Sequence, residues 1–198
     1  MKKMYLSAPL PFVGQKRMFA KEFMKVLEQY PDGTLFVDLF GGSGLLSHIT
    51  KSLKPHSTVI YNDFDNYRFR MKHIPQTNQL LADIREMVGN SVPRHKIIKG
   101  ELRERIFSRI EQEENTTGYV DFITLSSSIL FSMKYKLSVQ DMRKEALYNN
   151  IRKTGYPECT DYLEGLEIVS CDYKEVFNRY KDIPGVVFLV IRPICPLT

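Results

Sequence analysis

A short glycine-rich stretch holds the residues whose types and spacing could do chemistry. Residues 36–44 read FVDLFGGSG, so an apolar strand that ends near Asp38 runs directly into Gly41, Gly42 and Gly44. Glycine has no side chain to keep a ligand off the backbone, and it permits the tight turns that nucleotide-like ligands use. The spacing fits neither G-x-G-x-x-G nor a P-loop, so a turn that only packs a helix on a strand stays open as an alternative.

A second strand adds a carboxylate at a suitable separation. Residues 58–62, TVIYN, are followed by Asp63, about twenty residues beyond the turn, where a carboxylate can accept hydrogen bonds from the two hydroxyls of a ribose. Between the two strands, apolar residues recur at helical spacing, at Leu45, Leu46, Ile49 and Leu53. A strand, a glycine turn, a helix and a distal acid together predict a site for an adenosine-type cofactor.

Three segments resemble one family of enzymes. Residues 36–44 are similar to motif I of S-adenosylmethionine-dependent DNA methyltransferases, and YNDFD at 61–65 is similar to their motif II. Residues 11–19, PFVGQKRMF, resemble the PF-x-G-x-K-R segment of the DNA adenine-N6 methyltransferases that include Dam. The resemblance follows that group's motif order over nearly the whole chain. It implies S-adenosyl-L-methionine as the cofactor and adenine in duplex DNA as the methyl acceptor.

The same resemblance implies the fold and the cofactor residues. We expect an α/β fold, with a partial Rossmann-like sheet of strand order 3-2-1-4 in residues 1–65 and 166–198. A mostly helical target-recognition domain is expected as an insertion over 66–165. The cofactor-binding residues that the resemblance implies are Lys16, Asp38, Phe40, Gly41, Gly42, Gly44, Asp63 and Asp172.

Two of these residues also have a purely structural explanation. Lys16 lies near the cofactor's carboxylate according to the resemblance, but it could be a solvated lysine on an amphipathic helix predicted over 15–30. The apolar face of that helix would carry Phe19, Phe23, Leu27 and Tyr30. Asp172 follows a strand predicted over 168–171 and corresponds to motif III, beside the cofactor's adenine. It could equally cap a helix over 174–180, and both roles can coexist.

The insertion is expected to contact DNA. Helices are predicted over 91–114 and over 141–148, the second capped by Ser138, with a strand or loop over 119–131 between them. Charged and aromatic residues that suit phosphate contacts and base stacking follow, at Lys134, Tyr135, Lys136, Arg152 and Lys153. Because basic residues only slightly outnumber acidic ones in the insertion, a solvated surface is the alternative explanation for these charges.

Composition is consistent with these expectations. The 198 residues are 43% hydrophobic, and they contain neither a long apolar run nor a signal peptide, so we expect a soluble cytoplasmic protein without a membrane segment. Cys159, Cys171 and Cys195 lie far apart, which argues against a disulfide framework and a metal site. A net charge of +5 suits duplex DNA as the partner.

The C-terminal residues depart from the family pattern. An apolar strand is predicted over 186–190, and the resemblance places the catalytic sequence DPPY directly after Val190. Residues 191–198 read IRPICPLT instead, so DPPY is missing and we assign no catalytic residue. Possible codons for residues 190–198, read from the third base onward, spell DPPYLSTD, and we expect that one lost base shifted the reading frame. Little or no methyl transfer is then expected. An exposed last strand could also pair with a second copy of the chain.

Three functions therefore stay open at the level of sequence. The first is a DNA adenine-N6 methyltransferase, and the second is a non-catalytic protein that binds S-adenosylmethionine or DNA. The third is methylation of RNA or a small molecule, against which the segment at 11–19 argues because it resembles the DNA enzymes. Binding and turnover measurements distinguish the three.

Overall fold

The chain forms two compact units. The computed structural model describes residues 3–14, 16–131 and 134–191. The first unit comprises Met1–Met71 and Cys159–Thr198, and the second comprises Lys72–Glu158. These boundaries differ by about six residues from the expected 65 and 165 because two tyrosines belong to the first unit. The Tyr67 hydroxyl donates to the Leu10 carbonyl (3.2 Å), and the Tyr162 ring stacks on His48 with centroids 4.8 Å apart.

Helices and short strands alternate in the first unit and flank a helical second unit. After a 3₁₀ helix at Lys16–Phe19, the helices are α1 Ala20–Leu27, α2 Leu45–Leu53, α3 Tyr67–Lys72, α4 Ile74–Val88, α5 Gly100–Thr117, α6 Phe122–Ile129, α7 Val139–Arg143 and α8 Tyr173–Tyr180. The strands are β1 Phe36–Asp38, β2 Val59–Asn62, β3 Ile97–Ile98, β4 Leu147–Tyr148, β5 Glu167–Val169 and β6 Val187–Leu189.

The first unit is built on a parallel sheet of strand order β5-β2-β1-β6. Phe36 of β1 lies opposite Val59 of β2 and Val187 of β6, so the carboxyl ends of these strands meet at one edge. Both faces of β1 are covered: Phe36 packs against α1 and α2, and Val37 packs against α8. Burial on both faces explains the near-continuous apolar sequence of these strands. The predicted α/β class with a parallel, Rossmann-like sheet is therefore confirmed.

The last strand is shorter than predicted. The sequence predicts a strand over 186–190, but β6 ends at Leu189, and Val190 lies outside it with 59% of its surface exposed. The reason is its neighbour β1, which ends at Asp38 opposite Leu189. The Leu39 amide still donates to the Leu189 carbonyl (3.3 Å), after which the chain turns away into the glycine stretch and leaves Val190 without a partner in the sheet.

The early end of β6 changes the place of Val190 in the fold. The sequence DPPY is expected directly after Val190, but the strand stops one residue earlier, so Val190 belongs to the connection that follows β6. The sequence DPPY is absent from residues 191–198, of which 192–198 lie outside the residues that the structure describes. The strand predicted over 168–171 also ends early, since β5 is Glu167–Val169.

The N-terminal helix is shorter than predicted. Its first turn is a 3₁₀ helix, and the α-helix begins at Ala20 and ends at Leu27, while Gln15 lies outside the described residues. A 3₁₀ turn has three residues per turn where an α-helix has 3.6, so it rotates the residues that precede Ala20 out of phase with those that follow. Phe23 and Leu27 are buried as predicted, whereas Phe19 is exposed.

The second unit corrects three sequence-based predictions. Residues 119–131, predicted as a strand or loop, contain α6, because Asp121 caps it by accepting from the Thr124 amide (3.0 Å) and hydroxyl (2.7 Å). The helix predicted over 91–114 begins only at Gly100, and the helix predicted over 141–148 ends at Arg143. Parts of the two predicted helices that are not helical, Ile97–Ile98 and Leu147–Tyr148, pair instead as the antiparallel strands β3 and β4. Ser138 is confirmed as a cap, since its hydroxyl accepts from the Asp141 amide (3.1 Å).

The part of the chain that the structure describes has no membrane-crossing helix and no cluster of metal-ligand side chains. No helix there is long and apolar enough to cross a membrane. The same residues contain no group of three or more His, Cys, Asp or Glu side chains placed to hold a metal ion.

Removal of the α6 cap tests why this segment is a helix. We predict that Asp121→Ala lowers the free energy of unfolding by about 1–2 kcal/mol, because two hydrogen bonds of a buried carboxylate are lost together. Asp172→Ala, which removes an exposed cap from α8, should lower the free energy of unfolding by a smaller amount. Urea denaturation followed by circular dichroism measures both. An equal or larger loss for Asp172→Ala would contradict this explanation of α6.

Candidate cofactor site at the carboxyl edge of the sheet

Asn62 joins the ends of three chain segments at this edge. Its side-chain amide donates to the carbonyls of Leu39 (3.1 Å) and Cys171 (3.0 Å), and its oxygen accepts from the Cys171 amide (3.2 Å). These bonds fix the chain after β1, β2 and β5 relative to one another, and Asn62 itself is buried. Predicted site residues of these three segments, which include Asp38, Phe40 and Asp63, are therefore held in a defined arrangement.

The glycine turn is packed against the protein's own side chains. A Cβ added to Gly41 would lie 2.3 Å from the Tyr61 ring, one added to Gly42 would lie 2.9 Å from Phe12, and one added to Gly44 would lie 2.9 Å from Leu163. The sequence analysis explained these glycines by close approach of a ligand. The structure adds that glycine is required here because neighbouring side chains already fill the space.

Tyr61 is the central side chain of this packing. Its ring lies against the turn, and its hydroxyl donates to the Gly42 carbonyl (2.7 Å) and lies 3.0 Å from Asp63 Oδ1. Burial, followed by the negative charge and hydrogen bond of Asp63, raises the pKa of Tyr61 well above its usual value. The hydroxyl is therefore protonated and acts as a donor at any physiological pH.

Asp38 is a fully buried carboxyl group, and only one of its two oxygens accepts a hydrogen bond from the described residues. Oδ2 accepts from the Ser47 hydroxyl (2.8 Å), whereas Oδ1 is buried and has no hydrogen-bond partner among the residues that the structure describes. Burial raises the pKa of Asp38, although the charge of Lys16, the Ser47 bond and the Phe40 amide lower it in part. A buried acceptor without a donor is unfavourable in the protein alone, so it is suited to a ligand that supplies an N–H or O–H group.

Lys16 supplies the positive charge of the site. Its side chain is buried, and Nζ donates to the Phe40 carbonyl (2.5 Å), so the alternative of a solvated lysine is wrong. Its charge favours the ionised forms of Asp38 and Asp65, against the burial that raises the pKa of both carboxyls. An ammonium carries three donors, and the bond to Phe40 uses one of them.

Asp63 has less free capacity than the resemblance implies. Oδ1 accepts from the Tyr67 amide (2.6 Å) and lies within hydrogen-bond distance of the Tyr61 hydroxyl, while Oδ2 accepts from the Arg68 amide (3.0 Å). Each carboxylate oxygen has two lone-pair positions. The Tyr61 hydroxyl, whose single proton is donated to Gly42, occupies the space beside Oδ1, so a ligand finds one open position at Oδ2. Asp63 thus serves first as the cap of α3, and it can accept from one ribose hydroxyl instead of two.

An aromatic pair and a second cap complete this edge. Asp172 is exposed and accepts from the Lys174 amide (2.8 Å), so its predicted role as an N-cap, here of α8, is confirmed. Tyr173, the next residue, has its ring 5.0 Å from that of Phe40. The segments that carry the predicted residues Phe40 and Asp172 are therefore joined by a ring contact between Phe40 and Tyr173.

The residues predicted to contact DNA lie in the second unit and are partly neutralised. Lys134 and Lys136 both approach Glu145, at 2.5 and 3.1 Å, and these two lysines lower the pKa of that carboxyl. Tyr135, between them, is half-buried. The sequence analysis missed Glu145 because α7 separates it from the lysines along the chain. Two ammoniums around one carboxylate leave a single net positive charge on this segment.

Arg152 and Lys153 follow β4. The Arg152 guanidinium lies 4.5 Å from the centre of the Tyr156 ring, and its carbonyl accepts from Arg85 Nε (2.9 Å). Lys153 is exposed. Arg152 is therefore anchored by stacking within the second unit, and its role in DNA binding stays a prediction.

Several residues of the cofactor edge were not among those the sequence analysis assigned to it. Ser47 holds Asp38, Tyr61 packs on the glycine turn, Asn62 joins the strand ends, and Phe12 covers Gly42. The position of Tyr61 and Asn62 directly before Asp63, at the end of a buried strand, was the available signal. Ser47 lies three residues after Gly44, in the first turn of α2, where it can reach a strand end.

The chain is similar in sequence to a known bacterial protein. The chain is 39% identical over 196 residues to a protein of Haemophilus influenzae named "Putative methyltransferase". The matched region includes 97% of this chain and 65% of that protein, so the chain spans about two thirds of its relative's length. No family model matches the chain. The chain is thus similar to part of a protein that carries this name, over less than two thirds of that protein's length.

The buried carboxylate of Asp38 gives a stability prediction with a defined pH dependence. Because its folded pKa is raised, folding favours the protonated form, and that contribution is fully present below about pH 4 and lost as pH rises through the folded pKa. We therefore predict that Asp38→Asn raises the free energy of unfolding at pH 7, and that the gain shrinks as pH falls towards 4. Urea titrations at several pH values measure it, with Asp172→Asn as the control for an exposed carboxylate. A gain that grows on acidification would contradict the assignment.

The packing of Tyr61 on the turn gives a second prediction. Gly41 does not have a positive φ, so Gly41→Ala should destabilise the fold by about 1–3 kcal/mol through steric overlap alone. Tyr61→Leu removes the overlapping ring, so the double variant should lose less stability than the sum of the single variants, by about 0.5 kcal/mol or more. Gly118→Ala, where φ is 72° and no atom lies within 4 Å of the added Cβ, is the control for backbone strain. Strict additivity of Gly41→Ala and Tyr61→Leu would rule out the proposed overlap.

Proposed function

We propose that the chain derives from the S-adenosylmethionine-dependent methyltransferases that act on adenine N6 in DNA, that it binds the cofactor and DNA, and that it transfers little or no methyl because DPPY is missing after Val190. The observation that carries the proposal is the unpartnered Asp38 Oδ1, buried at the carboxyl end of β1 beside the ammonium of Lys16. Ligands of open parallel sheets bind at the carboxyl ends of the strands. The similarity to the Haemophilus influenzae protein supports the reaction class.

The residues at this edge fit the polar groups of S-adenosylmethionine. Asp38 Oδ1 would accept from the cofactor's ammonium, and Lys16 has two donors left for its carboxylate. Asp63 Oδ2 has capacity for one ribose hydroxyl, and Asp172 and the Phe40–Tyr173 pair are available to the adenine ring. When bound, the cofactor supplies an electrophilic methyl group on a sulfonium. The protein's part in this unit is to bind and orient that group and to exclude water from it.

The choice of DNA adenine as the acceptor has separate support. Residues 11–19, 36–44 and 61–65 resemble the segments of adenine-N6 methyltransferases, and these segments supply Phe12, Lys16, Asp38, Tyr61 and Asp63 to the site described above. The net charge of +5 favours a polyanion. Lys134, Tyr135, Lys136, Arg152 and Lys153 are the residues we propose for DNA contact, with Glu145 limiting the charge of the lysine pair.

Cofactor binding is the first test. We predict that S-adenosylmethionine binds to the wild-type chain in a calorimetric titration and that Asp38→Asn weakens binding on the order of tenfold or more, the effect of losing one hydrogen bond to a charged group. Lys16→Met should weaken it similarly, and Lys181→Met, which changes an exposed lysine, should not. Because Asp38→Asn is expected to fold at least as well as the wild type, a loss of binding cannot be attributed to unfolding. Equal affinity for Asp38→Asn would contradict the site.

Methyl transfer is the second test. Tritiated S-adenosylmethionine is incubated with duplex DNA, RNA or no acceptor, and the methylated base is identified by mass spectrometry. Label at adenine N6 of DNA would support DNA as the acceptor, but it would contradict the expectation that this chain transfers little or no methyl. Binding of the cofactor and of DNA without transfer would indicate a non-catalytic binding protein, and label on RNA would exclude DNA as the acceptor.

A further inference from the structure

A cavity of about 430 Å³ lies in the second unit, and none of the residues assigned to the cofactor lines it. Its walls come from the end of α6, from residues 130, 131, 134 and 135, from Tyr148 of β4, and from His95 and Asn150, which lie close to β3 and β4 in the sequence. Three aromatic side chains line it, Phe131, Tyr135 and Tyr148, together with polar side chains that include His95 and Asn150. Its volume exceeds that of one nucleoside, and its lining combines flat apolar surfaces with hydrogen-bonding groups.

The aromatic wall presents a ring face to ligands. Phe131 is 58% exposed, although its ring is 5.7 Å from that of Tyr148 at an angle of 57°. An aromatic ring that is both supported by a neighbour and open to solvent offers a stacking surface without further rearrangement. Stacking on such a ring is the main way in which proteins bind bases that are not paired in a helix.

The polar wall has fixed donor and acceptor positions. The Asn150 amide donates to the Leu130 carbonyl (3.1 Å), which orients its oxygen towards His95 Nδ1, 2.9 Å away. An amide oxygen only accepts, so Nδ1 must carry the proton, and Nε2 of the neutral ring is left as an acceptor. The second N–H of the Asn150 amide is a donor. A neighbouring acceptor and donor match the edge that every nucleobase presents.

The backbone holds these two side chains in place. The His95 amide donates to the Asn149 carbonyl (2.8 Å), and the Asn149 amide donates to the Lys96 carbonyl (2.9 Å), which extends the pairing of β3 and β4. His95 has φ of +63°, a left-handed conformation that costs energy in a residue other than glycine and that concentrates at functional sites. The opposite wall is pinned by the Ser126 hydroxyl, which accepts from the Lys136 amide (3.0 Å).

The cavity also has a charge suited to a phosphate. Lys134 lines it, and the trio of Lys134, Lys136 and Glu145 carries one net positive charge. The ammonium of Lys134 is half-exposed, so it can reach a phosphate while it stays close to Glu145. One nucleotide therefore finds a stacking surface, a hydrogen-bonding edge and a cation around a single cavity.

We propose that this cavity binds one nucleobase outside a double helix, stacked on Phe131 and hydrogen-bonded by His95 and Asn150. The base belongs either to a free nucleotide or to an unpaired position of a nucleic-acid strand, since both present the same ring and phosphate. The proposal goes beyond the proposed function, because neither the first unit nor the methyl donor takes part in it.

Fluorescence of 2-aminopurine tests the proposal directly. The chain contains no tryptophan, so the emission of this base can be excited without interference. The full chain is titrated with 2-aminopurine deoxyribonucleoside 5′-monophosphate in the presence of excess S-adenosylmethionine, which occupies the candidate cofactor site. We expect saturable quenching, because the base stacks, and displacement by ordinary nucleotides but not by deoxyribose 5-phosphate.

Matched variants locate the binding site. Phe131→Ala should weaken binding on the order of tenfold, the effect of one base–aromatic stack. Asn150→Ala should weaken it as well. Leu137→Ala, which removes an exposed apolar side chain in the same segment outside the cavity lining, should leave the affinity unchanged. Circular dichroism confirms folding, and Phe131→Leu provides a second variant that keeps an apolar side chain but removes the ring.

The outcomes separate the two sources of the base and the two sites. A single strand that contains 2-aminopurine and binds more tightly than the mononucleotide indicates a nucleic-acid strand as the source, and equal affinity indicates a free nucleotide. Absence of quenching at millimolar concentration, equal affinity of Phe131→Ala, or competition by deoxyribose 5-phosphate would overturn the proposal. Each of these results can occur while S-adenosylmethionine binds normally, so failure here is distinguishable from failure of the cofactor site.

Discussion

The packing of the Tyr61 ring against the glycine turn is the constraint on which the candidate site depends. Tyr61 is the second-last residue of β2, directly before Asn62 and Asp63, and its ring occupies the space that a side chain at Gly41 would need. Its hydroxyl bonds to Gly42, so the turn after β1 and the end of β2 are fixed together. A turn held in this way presents Asp38 and Phe40 at one edge of the sheet without any ligand.

The same rigidity leaves an unfavourable group in the interior. A neutral side chain at position 38 would be more favourable for stability than the carboxylate of Asp38. One oxygen of this carboxylate has no donor, and burial opposes its charge. Buried charges without full compensation are uncommon in a fold that is optimised only for stability. The buried Lys16 ammonium reduces the cost without removing it. This pairing of an incompletely satisfied acid with a lysine that has donors left is what a zwitterionic ligand would complete.

Much of the first unit could be predicted from the sequence, and the reason is local. The apolar runs before Asp38 and Asp63 identify β1 and β2, and the helical spacing of Leu45, Leu46, Ile49 and Leu53 identifies α2. In each case the apolar residues that predict the element are also the residues that pack in the core. The alternation between the faces of the sheet, with Phe36 on one side and Val37 on the other, follows from strand geometry alone.

The errors concern interactions that are distant in sequence or that compete with propensity. The segment 119–131 is rich in residues that favour strands, but the buried cap at Asp121 and the Ser128 bond to the Thr124 carbonyl satisfy its polar groups in a helix. Lys16 looked like a surface residue because its partner at Phe40 is brought close only by the fold. Glu145 was missed for the same reason, since its lysines lie across α7. Val190 is apolar like the strand before it, but the length of β1 decides where that strand ends.

A crystal structure of the chain grown with S-adenosylhomocysteine, the product of methyl transfer from the cofactor, tests the central claim most directly. The account predicts density for the ligand at the carboxyl edge of β1, with a ligand nitrogen or oxygen within hydrogen-bond distance of Asp38 Oδ1 and the ligand carboxylate next to Lys16 Nζ. Density for the ligand at another place, or an Asp38 Oδ1 that stays without a donor in the complex, would contradict it.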